Sequence, residues 1–160
     1  MIICGFPGIG KSYVAEHFPN VVDLEPKVFE PLIDDLCSYV DYAVRCSNLG
    51  KFVLVSFDIG LRQRLMKEVP FFTQLMTVVP DSGDKDWYMQ KYRQMGYSDN
   101  LIQSIMDNWD MWLDKNQNML PGENWQVLKP HETLREAIVR LSQESANFLC
   151  DYNLINKIIM

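Results

Sequence analysis

The fold of this chain is decided close to its start, by the segment Gly5-Phe6-Pro7-Gly8-Ile9-Gly10-Lys11-Ser12. This segment, hereafter the phosphate loop, fits the pattern G-x-x-x-x-G-K-[S/T], whose glycine-rich backbone curls around a phosphate group. The apolar residues 1–4 before it predict a buried strand, and residues 12–18 can begin a helix. A strand, a glycine-rich turn and a helix N-terminus together direct backbone N–H groups and a helix dipole at an anion. A chance turn ending in Lys-Ser is the alternative, and the flanking elements disfavour it.

The residue types in the phosphate loop predict binding of a nucleoside triphosphate. Lys11 can reach the β- and γ-phosphates as a mobile cation, which makes it a predicted catalytic residue. The Ser12 hydroxyl is a predicted Mg²⁺ ligand. ATP and Mg²⁺ are therefore the expected cofactors. The residues predicted to bind the nucleotide are Gly5, Pro7, Gly8, Ile9, Gly10, Lys11, Ser12 and Tyr13.

Composition limits the classes of protein that this chain can belong to. Its 160 residues are enough for one domain, which we expect to span residues 1–160. A net charge of −6 argues against a broad nucleic-acid surface. No apolar run is long enough to span a bilayer and no signal peptide is recognisable, so we expect a cytoplasmic protein. The four cysteines form no C-x-x-C pair and only two histidines are present, which disfavours a zinc site.

Hydrophobic periodicity beyond the phosphate loop predicts strands that alternate with helices. Such alternation is typical of an α/β fold, here a three-layer α/β/α sandwich around a mostly parallel sheet of about five strands. Further strands are predicted at residues 21–23, 51–56, 74–79 and 125–128, and helices at 29–47, 61–68, 84–95, 99–115 and 132–149.

Acidic residues follow two of the predicted strands, at the edge where ligands of parallel sheets bind. Asp23 ends the second strand, and we predict that it ligates Mg²⁺ through water or acts as a base. Glu25 is a candidate for gripping the phosphoryl acceptor. Asp58 follows the third strand and is a second candidate for a metal ligand or base, and for substrate binding. For Glu25 and Asp58 the alternative, an acid that caps the next helix, is equally open.

The absence of other motifs narrows the chemistry to a small phosphotransferase. No N-K-x-D is present, as GTPases require, and the third strand ends Val-Ser-Phe-Asp rather than in the Asp-Glu of motor ATPases. Phosphoryl transfer also needs cations beside the transferred group and a cover that excludes water. Lys91 and Arg93 are candidate catalytic cations on the helix after the fourth strand. They lie two residues apart and so point to different sides of that helix.

The chain resembles the nucleoside monophosphate kinase group of phosphate-loop kinases, in particular the small phage-type nucleotide kinase-like proteins. The matching segments are the phosphate loop, Val21-Val22-Asp23, Val53-Leu54-Val55-Ser56, residues 87–96 and Asn108-Trp109-Asp110. The resemblance implies the P-loop NTPase fold, with a short helical lid at about residues 81–97. It implies an ATP-dependent nucleoside or deoxynucleoside monophosphate kinase as the activity.

The resemblance also implies roles for individual residues. Lid cations of the relatives occupy the positions of Lys91 and Met95, so this chain keeps the first and loses the second. Arg45, the one arginine of the acceptor-binding region, would grip the acceptor phosphate. The Gly-Phe-Pro-Arg that follows the third strand of adenylate kinases is missing, so the acceptor need not be AMP.

Two further functions stay open at this point. One is a kinase for another hydroxyl acceptor, such as a polynucleotide 5′ end or a small metabolite, with Asp23 as general base. The other is a nucleotide-binding interaction protein without catalysis, which the Met95 departure favours. The expected partners are a nucleoside triphosphate and a small phosphoryl acceptor, and a homodimer is also open.

Overall fold

The computed structural model describes residues 1–24, 36–70 and 73–149, with only the backbone described in residues 142–149. Within these ranges, five strands form one sheet in which every neighbouring pair is parallel, in the order β2-β3-β1-β4-β5. The edge strands β2 and β5 have three residues each. This confirms the predicted α/β class and parallel sheet. The strands are β1 Ile2–Gly5, β2 Val21–Asp23, β3 Phe52–Ser56, β4 Leu75–Val79 and β5 Trp125–Val127.

Seven α-helices accompany this sheet in the part of the chain that the structure describes. Six correspond to predicted helices and the short α6 was not predicted, while the predicted start of α2 at residue 29 lies outside the described residues. None of these helices combines the length and apolar composition that crossing a bilayer requires. The helices are α1 Lys11–His17, α2 Leu36–Asn48, α3 Ile59–Glu68, α4 Lys85–Gln94, α5 Asp99–Leu113, α6 Lys115–Asn118 and α7 Leu134–Leu149.

Two hydrophobic cores lie on opposite faces of the sheet. Alternate side chains of a strand point to opposite faces, and Ile3 belongs to one core while Ile2 and Cys4 belong to the other. Apolar residues of α1, α4, α5 and α7 fill the first core, and those of α2 and α3 fill the second. The structure is therefore a sheet between two helical layers, as the alternation of elements predicts.

A buried ion pair ties α3 to the chain just before β5. Arg62 Nη1 lies 3.0 Å from Oε1 and 3.0 Å from Oε2 of Glu123, and each side chain is only 2% exposed. The same carboxylate accepts hydrogen bonds from the Thr77 hydroxyl and, at 2.8 Å, from the Leu120 N–H. The guanidinium also lies over the Phe57 ring, 4.6 Å from its centroid. Every oxygen of the buried carboxylate is thus engaged, which is what burial of a charge requires.

The connections of the sheet create a crevice at the phosphate loop. β1 and β3 are neighbours, with Gly5 opposite Ser56 at their carboxyl ends. The chain leaves β1 into α1 on one face and leaves β3 into α3 on the other. Ligands of open parallel sheets bind where adjacent connections diverge in this way.

Candidate functional site

The phosphate loop joins β1 to α1 through two glycines in the left-handed region. Gly8 has a φ of +74° and Gly10, the residue before α1, has a φ of +104°. A residue with a Cβ is strained in this region, so the curl of the loop depends on glycine at both places. The structure thus places a tight glycine turn immediately before a helix N-terminus, as predicted.

Lys11 lies against the backbone of the phosphate loop rather than in solvent. Its side chain is buried, and Nζ donates to the Gly5 carbonyl at 3.0 Å and, more weakly, to the Phe6 carbonyl at 3.5 Å. A Cβ added at Gly5 would lie 3.0 Å from Lys11 Cδ, so the side chain passes closely over that glycine. The loop therefore holds a positive charge against its own backbone, which suits it to a polyanion.

Ser12 and Asp23 bring two hard oxygen ligands together beside the loop. The Ser12 hydroxyl in the first turn of α1 donates to Asp23 Oδ2 at 2.9 Å, at the carboxyl end of β2. Among the residues described, no group of three His, Cys, Asp or Glu side chains could hold a metal ion alone. Mg²⁺ is commonly held by one or two protein oxygens with phosphate and water completing its shell, and this pair fits that pattern.

A cavity of about 930 Å³ opens beside the phosphate loop, between the end of α4 and the first turns of α7. This volume lies at the upper end of the range for small-molecule sites. Residues 8–14 of the loop and α1 form one wall. The opposite walls include Lys91, Met95, Tyr97, Thr133, Arg135 and Arg140.

Lys91 lines this cavity from the last turn of α4. Its Nζ lies 4.9 Å from the centroid of the Trp87 ring and 5.1 Å from that of Tyr88, one turn earlier on α4. Burial lowers the pKa of Lys91 from its ordinary value. Arg93 is exposed and does not line the cavity, as its spacing from Lys91 allows. Met95 lines the cavity and is half exposed.

The beginning of α7 supplies cavity residues that the sequence reasoning missed. Thr133 and Glu136 form a capping box, since Glu136 Oε2 accepts from the Thr133 N–H at 2.8 Å and Thr133 Oγ1 accepts from the Glu136 N–H at 3.3 Å. Arg135 sits in this first turn, where the helix dipole disfavours a cation. That unfavourable placement, readable in the sequence as Thr-Leu-Arg-Glu, is the signal that could have drawn attention to Arg135.

A second arginine of α7 is fixed by a neighbouring acid. Arg140 donates from Nε and Nη2 to the two oxygens of Glu132, at 2.8 and 2.9 Å. These hydrogen bonds, with help from the Lys129 N–H, lower the pKa of Glu132 below its ordinary value. The cavity wall on this side is therefore held in a defined position by an ion pair.

The remaining predicted site residues lie in different places. Asp58 caps α3, with Oδ1 accepting from the Leu61 N–H at 2.8 Å, so the capping alternative describes its contact. Arg45 is exposed in the last turn of α2, which leads to the amino end of β3, so the structure does not bring it to the loop. Glu25 lies outside the described residues. Tyr13 lines the cavity and stacks on His17, with ring centroids 4.1 Å apart.

Fold and site together define an α/β protein with an all-parallel sheet of five described strands and a glycine-rich loop at its crevice. No protein-family model matches the chain, and neither does any of the curated proteins with which it was compared.

Proposed function

We propose that this protein is an ATP-dependent phosphotransferase of the P-loop NTPase fold that transfers the γ-phosphoryl group to a nucleotide. The observation that carries the proposal is the phosphate loop itself. Gly8 and Gly10 adopt positive φ, Lys11 Nζ lies 3.0 Å from a loop carbonyl oxygen, and the loop leads directly into a helix. This combination supports capture of a triphosphate by backbone N–H groups and one mobile cation.

Lys11 would exchange its present partners for phosphate oxygens. Neutral carbonyls bind an ammonium less strongly than charged oxygens do, so a bound triphosphate would draw Nζ away from Gly5 and Phe6. Ser12 and Asp23 would hold Mg²⁺, Asp23 through water. When bound, Mg²⁺ would supply charge neutralisation on the β- and γ-phosphate oxygens.

The cavity beside the loop supports binding of the nucleoside part. Its volume exceeds what a triphosphate tail needs, and the aromatic rings of Tyr13 and Tyr97 lie in its walls. Lys91 would bring a second cation toward the transferred group, and its lowered pKa is an effect of burial that a bound anion would oppose. Closure of α4 and α7 over the nucleotide would also keep water away from the phosphoryl group.

The acceptor class rests on the sequence resemblance to nucleoside monophosphate kinases. Arg45 is exposed in the last turn of α2 and does not line the cavity, and Glu25 lies outside the described residues. Asp23 is an acid in direct contact with the loop, through its hydrogen bond with Ser12. If the acceptor is a hydroxyl rather than a phosphate, Asp23 would act as its general base, and Asp23→Asn would then abolish transfer while ATP binding persists.

A non-catalytic nucleotide-binding protein is the second candidate. Met95, at the position where relatives carry a lid cation, lines the cavity with an apolar side chain. A site with one lid cation fewer stabilises a developing charge less well, which favours binding without transfer.

A screen of ribo- and deoxynucleoside monophosphates with γ-labelled ATP and Mg²⁺ tests the proposal. We expect labelled diphosphate from at least one acceptor. Lys11→Ala should abolish both transfer and ATP binding, whereas Lys67→Ala, which removes an exposed lysine of α3, should leave both unchanged. Folded wild-type protein without affinity for Mg²⁺-ATP would reject the proposal, and tight binding with no transfer to any acceptor would favour the non-catalytic candidate.

A further inference from the structure

We propose that Tyr92 is a positioning residue for the phosphate loop. Its hydroxyl holds the Pro7 carbonyl and thereby orients the Pro7–Gly8 peptide group so that the Gly8 N–H faces the bound phosphate. The inference rests on the proposed function, since it deepens the role of the same loop. The inference gives a role to a buried tyrosine of α4, a residue that lies outside the phosphate-loop motif.

The contact between Tyr92 and the loop is close and specific. The Tyr92 hydroxyl donates to the Pro7 carbonyl at 2.7 Å, and the side chain is fully buried. A Cβ added at Gly8 would lie 2.2 Å from Cε1 and 3.0 Å from Cζ of the Tyr92 ring. The ring therefore packs directly on the α-carbon of Gly8, and the hydroxyl reaches the peptide group just before it.

The geometry of the peptide group gives this hydrogen bond its consequence. A trans peptide is planar, with its C=O and N–H pointing in opposite directions, and no cis peptide bond occurs among the residues described. Holding the Pro7 oxygen toward Tyr92 therefore turns the Gly8 N–H away from it. Pro7 has no N–H of its own, so Gly8 provides the next amide donor along the loop.

The Tyr92 hydroxyl is suited to act as a permanent donor. Burial, followed by the neighbouring Tyr88 and Tyr97, raises the pKa of Tyr92 well above its ordinary value. The phenol therefore stays protonated at neutral pH and can donate to the Pro7 carbonyl.

Tyr92 also joins the loop to the cavity wall. Its ring stacks on Tyr97, with centroids 5.2 Å apart and planes 15° from parallel, and Tyr97 lines the cavity. Lys91 is the adjacent residue on the same helix. A movement of α4 toward a bound nucleotide would therefore be transmitted to the phosphate loop through the Tyr92 side chain.

Tyr92→Phe is the test, because it keeps the ring and removes only the hydroxyl. Tyr88→Phe is the matched control: it lies one turn earlier on α4, is equally buried, and its hydroxyl has no hydrogen-bond partner among the described residues. Calorimetric titrations of both variants would use Mg²⁺-ATP and Mg²⁺-tripolyphosphate, the second probe lacking a nucleoside.

We expect Tyr92→Phe to raise Kd about fivefold for both probes, the equivalent of one hydrogen bond, with native circular dichroism. Tyr88→Phe should stay within about twofold of the wild type, because it removes a hydroxyl that makes no hydrogen bond to the described residues. Unchanged affinity in Tyr92→Phe overturns the proposal. A loss of affinity for ATP alone also overturns it, because the hydroxyl would then act on binding of the nucleoside rather than of the phosphates. Wild-type protein that binds neither probe instead overturns the proposed function, and this inference falls with it.

A measurement on the wild-type protein keeps the inference testable if Tyr92→Phe does not fold. The amide resonance of Gly8 should move downfield when Mg²⁺-tripolyphosphate is added to isotope-labelled protein, because its N–H then donates to a charged oxygen. A Gly8 resonance that stays in place while other loop amides move would overturn the proposal.

Discussion

Glu123→Ala should destabilise this protein more than most single substitutions, because it leaves the Arg62 guanidinium buried without its counter-ion. The guanidinium nitrogen lies 3.0 Å from each carboxylate oxygen, and both side chains are 2% exposed. The substitution also removes the acceptor for the Thr77 hydroxyl and the Leu120 N–H. Solvent cannot readily replace these partners at such burial.

The size of the effect follows from this burial. Breaking one side of a buried ion pair typically costs about 3–5 kcal/mol, a large part of the roughly 5–15 kcal/mol that stabilises a domain. For a chain of this length, each kcal/mol lowers the thermal midpoint by about 2–4 °C. We therefore expect the midpoint to fall by about 6–20 °C.

Thermal and urea unfolding followed by circular dichroism would measure the loss. Asp110→Ala is the control, since it breaks the Lys85–Asp110 pair, which has the same 3.0 Å separation but a carboxylate that is 78% exposed. That variant should leave the midpoint nearly unchanged, because exposed pairs contribute little. A second variant, Arg62→Met with Glu123→Leu, should recover part of the loss because no charge stays buried.

If Glu123→Ala lowers the free energy of unfolding by less than about 1 kcal/mol, the reasoning is refuted, because Arg62 must then find solvent or another partner. A double variant as unstable as the single one would locate the cost in Thr77 and Leu120 rather than in the unpaired charge.

Three further predictions concern other parts of the molecule. Gly8→Ala should lower the thermal midpoint more than Gly10→Ala: both residues have positive φ, but an added Cβ lies 2.2 Å from Tyr92 Cε1 at Gly8 and meets no atom within 4 Å at Gly10. Glu132→Gln should have a lower free energy of unfolding than the wild type at pH 7. Urea unfolding at several pH values should show this difference shrinking below pH 4.5, because the carboxyl has a lowered pKa only in the folded state. Cys37 is exposed and should react rapidly with a thiol reagent, whereas Cys4, whose pKa burial raises to about 12, should be labelled only on unfolding, as peptide mass spectrometry would reveal.

Much of the fold was predictable because local patterns and tertiary packing agree. The strands β1 and β3 are runs of mostly apolar residues that include isoleucine and valine, which suit a strand buried on both faces. The sequence predicts a helix from residue 99, and α5 does begin there, capped by Ser98, whose hydroxyl accepts from the Leu101 N–H. The four-residue α6 was not predicted, because a helix of one turn has no periodicity to detect.

The candidate site was predictable only where its residues are close in sequence. The phosphate loop is a contiguous motif, and Asp23 follows from the rule that ligands gather at carboxyl ends of parallel strands. The contacts of Tyr92 with Pro7 and of α7 with the cavity join residues far apart in the chain, which no local pattern encodes. Arg45 is the opposite case: its residue type suits the predicted role, but it lies in the last turn of α2, toward the amino end of β3 rather than its carboxyl end.

The brevity of β2 and β5 has a consequence for behaviour at high concentration. Lateral growth of a sheet needs a long row of unused N–H and C=O groups on its outermost strand, and here each outermost strand offers only three residues. A neighbouring chain could therefore form too few cross-chain bonds to offset the entropy of ordering itself. Within the part of the chain that the structure describes, the sheet thus carries its own protection against fibril-like stacking.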